Sequence, residues 1–175
     1  ALIRAVATFD DVLVEEVLRE MGLEPQTGIA HTGIVAVIEG GKPGPMVAIR
    51  SDMDGLPVVE QTGLPFASTK TDVYNGQDVG VMHACGHDGH SAMLLGAAKY
   101  LAETRNFDGA LVVIFQPAEE GGGGAREMCK DDMMARWNIQ EVYGMHNWPG
   151  EPAGNFYIRP GPFFAATDQF DITVE

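Results

Sequence analysis

Basic residues and cysteines are scarce in this chain of 175 residues. Its 11 lysines and arginines stand against 25 acidic residues, giving a formal net charge of −14 at pH 7. An acidic surface repels phosphate backbones and anionic lipids, so we expect no nucleic-acid partner and no membrane partner. Cys85 and Cys129 are the two cysteines, too few for a disulfide framework, and we expect no bridge between them.

Long apolar runs are also lacking. No segment approaches the roughly 20 residues needed to span a bilayer. The first residues, Ala1 to Val6, lack the long apolar stretch of a signal peptide. These absences predict a cytoplasmic protein. With 45% apolar residues, a chain of this length can bury a core of ordinary size and is most simply one domain.

Predicted helices and strands alternate along the chain. Apolar periodicity predicts helices over residues 10–21, 91–104 and 125–137. Apolar and β-branched runs predict strands over residues 32–38, 46–50, 111–115, 142–145, 155–159 and 168–174. We expect a turn over residues 39–45, and Asp88 or Ser91 as the cap of the second helix. This order predicts an α/β fold with a mostly parallel sheet sandwiched by helices.

The densest group of metal-binding side chains lies between residues 83 and 90. This stretch, His-Ala-Cys-Gly-His-Asp-Gly-His, places three histidines, a cysteine and an aspartate before an apolar helix. Thiolate, imidazole and carboxylate groups hold Zn, Mn, Co or Ni. We expect His83 and His90 to support ligands or to lie on the helix face. The alternative for the stretch is a polar turn with an aspartate cap and a buried cysteine.

Polar side chains also follow three of the predicted strands. They are Asp52 and Asp54, then Glu119 and Glu120, then His146. Because ligands bind at the carboxyl ends of strands in open α/β sheets, these residues and the Cys85 and His87 turn are expected at one rim. Taken alone, Asp54 could belong to an Asx turn, the two glutamates to a solvated surface pair, and His146 to the core.

Four consecutive glycines, residues 121–124, follow the glutamates. Such a run before a helix can form an anion-binding nest. No Gly-Lys-Ser/Thr follows and two acidic residues precede it, so phosphate binding is not expected. We interpret the run as flexible access to the site.

Four segments together resemble a known family. They read Arg-Ser-Asp-Met-Asp-Gly-Leu-Pro (50–57), Met-His-Ala-Cys-Gly-His-Asp-Gly-His (82–90), Gln-Pro-Ala-Glu-Glu-Gly-Gly-Gly-Gly-Ala (116–125) and Gly-Met-His-Asn-Trp-Pro (144–149). This set is similar to the aminoacylase/carboxypeptidase dinuclear metallohydrolases. Within them it resembles the branch of hippurate hydrolases, N-acyl-amino-acid amidohydrolases and auxin-conjugate hydrolases. The resemblance covers about residues 28–175.

The resemblance implies a zinc-exopeptidase-like catalytic domain that hydrolyses the amide bond of N-acyl amino acids through activated water. It implies two divalent ions (Zn, Mn, Co or Ni) as cofactors, with four ligands: Cys85, His87, Glu120 and His146. Cys85 would bridge the ions. Glu119 would be the general base, and Asp54 would orient a ligand histidine, as carboxylates beside metal sites usually do.

The resemblance also implies a domain layout. Residues 1–167 would form the N-terminal part of the catalytic domain. Residues 168–175 would be a strand that leads into a lid and dimerisation domain outside this chain. That domain would make the protein a homodimer and would be followed by the last histidine ligand.

Three other functions are compatible with parts of the pattern. A metallo-exopeptidase would use the same metal centre on short peptides. A non-catalytic metal-binding relative would be expected to lack the base, yet Glu119 is present. A cysteine-nucleophile amidase could use Cys85 with His87, but metal ligation uses all four segments at once.

Overall fold

The computed structural model describes residues 11–166, 170 and 172–174. Within them the helices are α1 (Asp11–Glu20), α2 (His87–Thr104), α3 (Gly124–Lys130) and α4 (Met133–Arg136). The strands are β1 (Gln26–Ile29), β2 (Gly33–Glu39), β3 (Lys42–Asp52), β4 (Thr71–Tyr74), β5 (Gln77–Gly80), β6 (Asp108–Gln116) and β7 (Glu141–Gly144). Five strands form one sheet in the order β1-β2-β6-β3-β7, and β4 pairs with β5 in a separate hairpin.

The predicted α/β fold with a helix-covered sheet is confirmed, but the sheet is mixed and not mostly parallel as expected, because two of its four strand pairings are antiparallel. Strand β3 pairs in parallel with both β6 and β7, so the carboxyl ends of these three strands share one edge. Strands β1 and β2 extend the sheet in antiparallel fashion. The reason is the length of the link from β2 to β3. Only Gly40 and Gly41 lie between these strands, whereas a parallel connection needs a crossover of a dozen or more residues.

The link from β2 to β3 passes directly over the start of β6. The Gly40 N–H donates to the Gly109 carbonyl at 2.8 Å, and the Gly41 N–H donates to the Phe107 carbonyl at 3.0 Å. A Cβ atom at Gly40 would lie 2.4 Å from the Phe107 carbonyl oxygen. Glycine therefore allows β2 and β3 to flank β6 on either side.

Alternation along β6 divides the core between the two faces of the sheet. Leu111, Val113 and Phe115 pack with α1 and α2 on one face. Val112 and Ile114 pack with α3 and α4 on the other. A strand buried on both faces shows as a continuous apolar run, as the sequence of β6 does.

Most predicted elements are present with shifted ends. The predicted turn over 39–45 is shorter, because β3 already begins at Lys42, and the predicted helix over 125–137 is divided into α3 and α4. The break falls at Asp132, whose φ of 61° is incompatible with a continuous helix. Residues 155–159 form no strand, since no described strand pairs with them. The predicted strand over 168–174 lies largely outside the described residues.

The described residues were also expected to contain no membrane span and no disulfide. None of their helices is long and apolar enough to cross a membrane. Cys85 and Cys129 are both free thiols, as expected.

Candidate metal centre

Helix α2 begins at His87, one turn earlier than predicted. Its N-cap is Gly86, whose φ of 82° is left-handed, and no side chain caps the helix. The expectation that Asp88 or Ser91 caps it is therefore wrong. The Ser91 hydroxyl donates instead to the Asp52 carbonyl at 3.2 Å. The earlier start places His87 and His90 at i and i+3, on the buried face of the helix.

The His87 ring is oriented by Asp54. Its Nδ1 lies 3.1 Å from the Asp54 carboxylate and 2.9 Å from the Asp54 carbonyl oxygen. Both partners are acceptors, so Nδ1 carries a proton, and in the neutral ring Nε2 carries the lone pair. That Nε2 atom is buried and has no hydrogen-bond partner among the described residues. Buried polar atoms are normally hydrogen-bonded, so this nitrogen is a candidate metal ligand.

Three carboxylates face the His87 Nε2 atom. Their oxygens lie at 3.6 Å (Asp52), 3.9 Å (Glu119) and 3.9 Å (Glu120). Asp54 also accepts the Glu120 backbone N–H at 3.0 Å. The Asp54 carboxylate thus holds both the His87 ring and the backbone of the acidic pair at Glu120.

Cys85 and His146 form the other half of the cluster. The Cys85 Sγ atom lies 3.4 Å from His146 Nε2. Ligand atoms of Cys85, His87 and His146 all lie within 4.8 Å of one another. The His146 Nδ1 atom lies 2.5 Å from the Asn147 carbonyl oxygen, which directs the opposite nitrogen, Nε2, toward Cys85.

The glycine run after the glutamates forms a tight turn. The Gly124 N–H donates to the Ala118 carbonyl at 3.0 Å. A Cβ atom at Gly124 would lie 1.7 Å from the Pro117 carbonyl oxygen, and one at Gly122 would lie 2.6 Å from the Ala118 Cβ. Flexible access to the site stays a prediction. Glycine is needed here because the chain folds back on itself and holds Glu119 and Glu120 beside α2.

A second network lies beneath the cluster. The Asp52 carboxylate accepts from Arg50 at 2.8 Å and contacts His90 Nδ1 at 2.5 Å. Arg50 also donates to the Gln116 side chain at 2.8 Å. The parallel register pairs Asp52 with Gln116, so this network joins the carboxyl ends of β3 and β6.

Burial and neighbouring groups shift the pKa values of three site residues. Burial raises the pKa of Cys85, and the hydrogen bond and charge of Glu120 raise it further, to about 12. Burial acts to lower the pKa of His87, but the Asp54 hydrogen bond and the Asp52 charge outweigh it and raise that pKa. Burial acts to raise the pKa of Asp54, yet the His87 hydrogen bond holds it below its usual value. Such a negative field favours bound cations.

The residues present fit divalent metal ions. Six predicted site residues come together at one rim: Asp54, Cys85, His87, Glu119, Glu120 and His146. Thiolate, imidazole and carboxylate are a suitable donor set, and the buried His87 Nε2 atom, without a hydrogen-bond partner in the described part of the chain, is suited to bind a metal ion.

Sequence reasoning assigned no role to several residues of the network. Arg50 and Asn147 were not singled out, and His90 was expected only as a supporting or helix-face residue. One signal is present in the strand: Arg50 and Asp52 are two residues apart at the end of β3, so their side chains project to the same side. The contact between His90 and Asn147 joins residues 57 apart, and no local pattern reveals it.

Comparison with known proteins identifies relatives of this chain. A family model described as peptidase family M20/M25/M40 matches residues 48–175. The chain belongs to this family. It is 44% identical over 162 residues to a hippurate hydrolase of Campylobacter jejuni, covering 93% of this chain and 40% of that protein. It is 45% identical over 166 residues to thermostable carboxypeptidase 1 of Saccharolobus solfataricus, again covering 93% and 40%.

One solved structure and a further sequence relative extend this comparison. A dinuclear metal-binding M20 peptidase from Bacillus subtilis superposes with a TM-score of 0.75 at 37% identity, covering 86% of this chain and 41% of that one. An N-acetyl-L-cysteine deacetylase of the same organism is 40% identical in sequence, covering 93% of this chain and 37% of that protein. The chain therefore spans about two fifths of the length of these M20 relatives.

Proposed function

We propose that this chain is the metal-binding part of an amidohydrolase that cleaves N-acyl amino acids. The observation that carries the proposal is the buried His87 Nε2 atom, which has no hydrogen-bond partner among the described residues and faces the carboxylates of Asp52, Glu119 and Glu120. Similarity to a hippurate hydrolase and to an N-acetyl-L-cysteine deacetylase supports the substrate class. Hippurate and N-acetyl-L-cysteine are both amino acids that carry an amide-linked acyl group.

Four side chains would hold the metal ions: Cys85, His87, Glu120 and His146. Two divalent cations bound there would lower the pKa of a water molecule and polarise the acyl carbonyl. The donor set suits Zn, Co or Ni through sulfur and nitrogen, and Mn through the carboxylates. Cys85 contacts His146 at 3.4 Å and interacts with Glu120, which supports its place among the residues that would hold the ions.

Glu119 is the side chain best placed to move protons. Its side chain is 43% exposed, against 30% for Glu120 and 1% for His87, so it reaches both solvent and the cluster. In the proposed reaction Glu119 takes a proton from the attacking water and returns it to the departing amine. Asp54 orients the His87 ring, which Glu119 faces.

The proposed whole protein is a cytoplasmic homodimer. Its catalytic domain would include residues 1–167, and residues 168–175 would lead into a lid and dimerisation domain. The acidic composition of the chain supports a small-molecule substrate over nucleic acid or membrane.

The proposed function predicts metal-restored amine release. The protein as its gene encodes it is stripped with a chelator, then supplied with Zn, Mn, Co or Ni and assayed on N-benzoyl and N-acetyl amino acids. Hydrolysis should disappear on stripping and return with at least one ion. Short peptides serve as the comparison substrates, because 45% identity to a carboxypeptidase favours peptide cleavage as a second candidate. Faster turnover of peptides than of every acylated amino acid would overturn the proposed substrate class.

A thiol mechanism makes a different prediction for Cys85. The 3.4 Å contact between its Sγ atom and His146 is also the spacing of a nucleophile and its base. However, a thiol with a pKa of about 12 is protonated at neutral pH. We expect Cys85→Ala to lose metal and activity together, and Cys85→Asp, which keeps an anionic ligand, to recover part of both. An acyl-enzyme on Cys85, seen by mass spectrometry, would contradict the metal mechanism.

A further inference from the structure

Both ring nitrogens of His90 are engaged. His90 is 3% exposed, and its Nδ1 atom lies 2.5 Å from an Asp52 carboxylate oxygen. Its Nε2 atom accepts the backbone N–H of Asn147 at 2.9 Å. The imidazole therefore bridges the end of β3 and the segment that follows β7.

The partners determine which nitrogen carries the proton. A backbone N–H can only donate, so His90 Nε2 must be the acceptor. The Asp52 carboxylate, paired with Arg50 at 2.8 Å, accepts, so Nδ1 must be the donor. Asp52, His87 and His90 have atoms close enough to hold an ion together. With both nitrogens used in this way, His90 has no lone pair left for a metal.

The segment held by His90 carries a proposed ligand. Asn147 directly follows His146, and its side-chain amide also donates to the Gly86 carbonyl at 3.1 Å. A Cβ atom at Gly86 would lie 2.5 Å from that amide. Residues 146 and 147 are thus docked against the first turn of α2, which carries His87.

Strand β7 by itself is a weak anchor for His146. It has four residues, all exposed, and in the described part of the chain it pairs only with β3 at the edge of the sheet. The His90 ring also packs edge-on against the His146 ring, with centroids 4.5 Å apart. The position of His146 beside Cys85 therefore depends on contacts made after the strand ends.

We propose that His90 is a positioning residue of the metal centre: by accepting the Asn147 backbone N–H, it holds His146 in place beside Cys85. This inference rests on the proposed function in one respect, that His146 is a metal ligand. Asp52 and Arg50 act on His90 in turn, by fixing its tautomer. The hydrogen bond from the Asn147 backbone N–H to His90 Nε2 transmits this effect to the position of His146.

Two variants distinguish the roles of the two ring nitrogens of His90. In His90→Gln the terminal amide group lies near the position of Nε2, so its oxygen can accept from Asn147. In His90→Asn the amide lies near Nδ1, so it can bond Asp52 but cannot reach Asn147. Each variant keeps one hydrogen bond, so similar unfolding temperatures are expected for the metal-free proteins. His31→Asn, at an exposed turn residue with φ of 77°, is the control.

The readout is metal affinity and the cobalt absorption spectrum of the protein as its gene encodes it. We expect His90→Asn to weaken binding of one of the two ions by about 10- to 100-fold, as other losses of support beside metal ligands do. Its cobalt ligand-field bands should change, while the thiolate-to-cobalt band from Cys85 persists. His90→Gln should stay within about tenfold of the unsubstituted protein and keep the spectrum.

Equal metal affinities for His90→Asn and His90→Gln would overturn the positioning role. A loss of metal affinity in both variants, in proportion to a decrease in their unfolding temperatures, would also overturn it. Such a result would show a purely structural effect. The test does not depend on turnover. Failure of the unsubstituted metal-loaded protein to hydrolyse any N-acyl amino acid would overturn the proposed function and leave the positioning role standing.

Discussion

Glu119→Gln is expected to lower kcat for amide hydrolysis by about 10²- to 10⁴-fold, the usual contribution of a positioned general base. Glutamine keeps the shape of the side chain but cannot take a proton from water. Metal content should be unchanged, since Cys85, His87, Glu120 and His146 remain. Steady-state kinetics with metal analysis of the same sample would measure both quantities.

The neighbouring glutamate provides the matched comparison. Glu120→Gln changes the same group one residue away, and because Glu120 is a proposed ligand we expect lower metal occupancy as well as lower activity. Glu24→Gln alters an exposed glutamate far from the cluster and should change neither. Normal kcat in Glu119→Gln, or loss of metal from it, would contradict the assignment of the base.

The parts of the fold that sequence predicts best are those determined by local periodicity. Strand β6 is an uninterrupted apolar run because both of its faces are buried. Helix α1 shows one apolar stripe because only one side of it packs on the sheet. In each case the pattern reflects the environment of consecutive residues. Neighbouring residues alone therefore suffice to predict the element.

The β4–β5 hairpin has a local signal in the sequence, the Asn-Gly pair of its turn. Asn75 and Gly76 join the two strands, and both have positive φ values, 51° and 77°. Asn-Gly between alternating residues is typical of a two-residue hairpin turn. The two strands of the hairpin are short, with four residues each, and they form a sheet separate from the main one. Its absence from the prediction did not affect the site, which lies on other elements.

The start of α2 could not be placed from capping residues. Asp88 and Ser91 are both good N-cap types, yet a left-handed glycine begins the helix instead. That difference of one turn decides whether His90 lies in a loop or on the buried face of a helix. The contact of His90 with Asn147 then depends on how β7 approaches α2. Such a contact follows from tertiary packing and leaves no trace in local sequence.

The candidate site was easier to predict than its supporting network, for a physical reason. Metal-binding side chains are few in kind, and strand ends in a parallel sheet converge on one rim. Supporting residues such as Arg50 and Gln116 are common types whose role arises only from their partners. Their 2.8 Å hydrogen bond depends on the register of β3 against β6.

Asp54→Asn is the second change for which we expect a large effect. The Asp54 carboxylate accepts from two donors at once, His87 Nδ1 at 3.1 Å and the Glu120 backbone N–H at 3.0 Å. An amide has one oxygen and one NH₂ group, so whichever way it is turned, one N–H donor will face another donor. If the NH₂ group faces His87, it favours a proton on Nε2, the nitrogen needed for metal.

We therefore expect Asp54→Asn to weaken metal binding by about 10- to 100-fold. Competition with a chelating dye would measure the affinity, and Asp78→Asn, at an exposed residue of β5, is the control. If Asp54 acted only through its charge, then added metal would restore full kcat. If it orients His87 and Glu120, kcat should stay reduced at saturating metal, because the ligands remain misplaced. Wild-type affinity together with wild-type kcat would remove Asp54 from the mechanism.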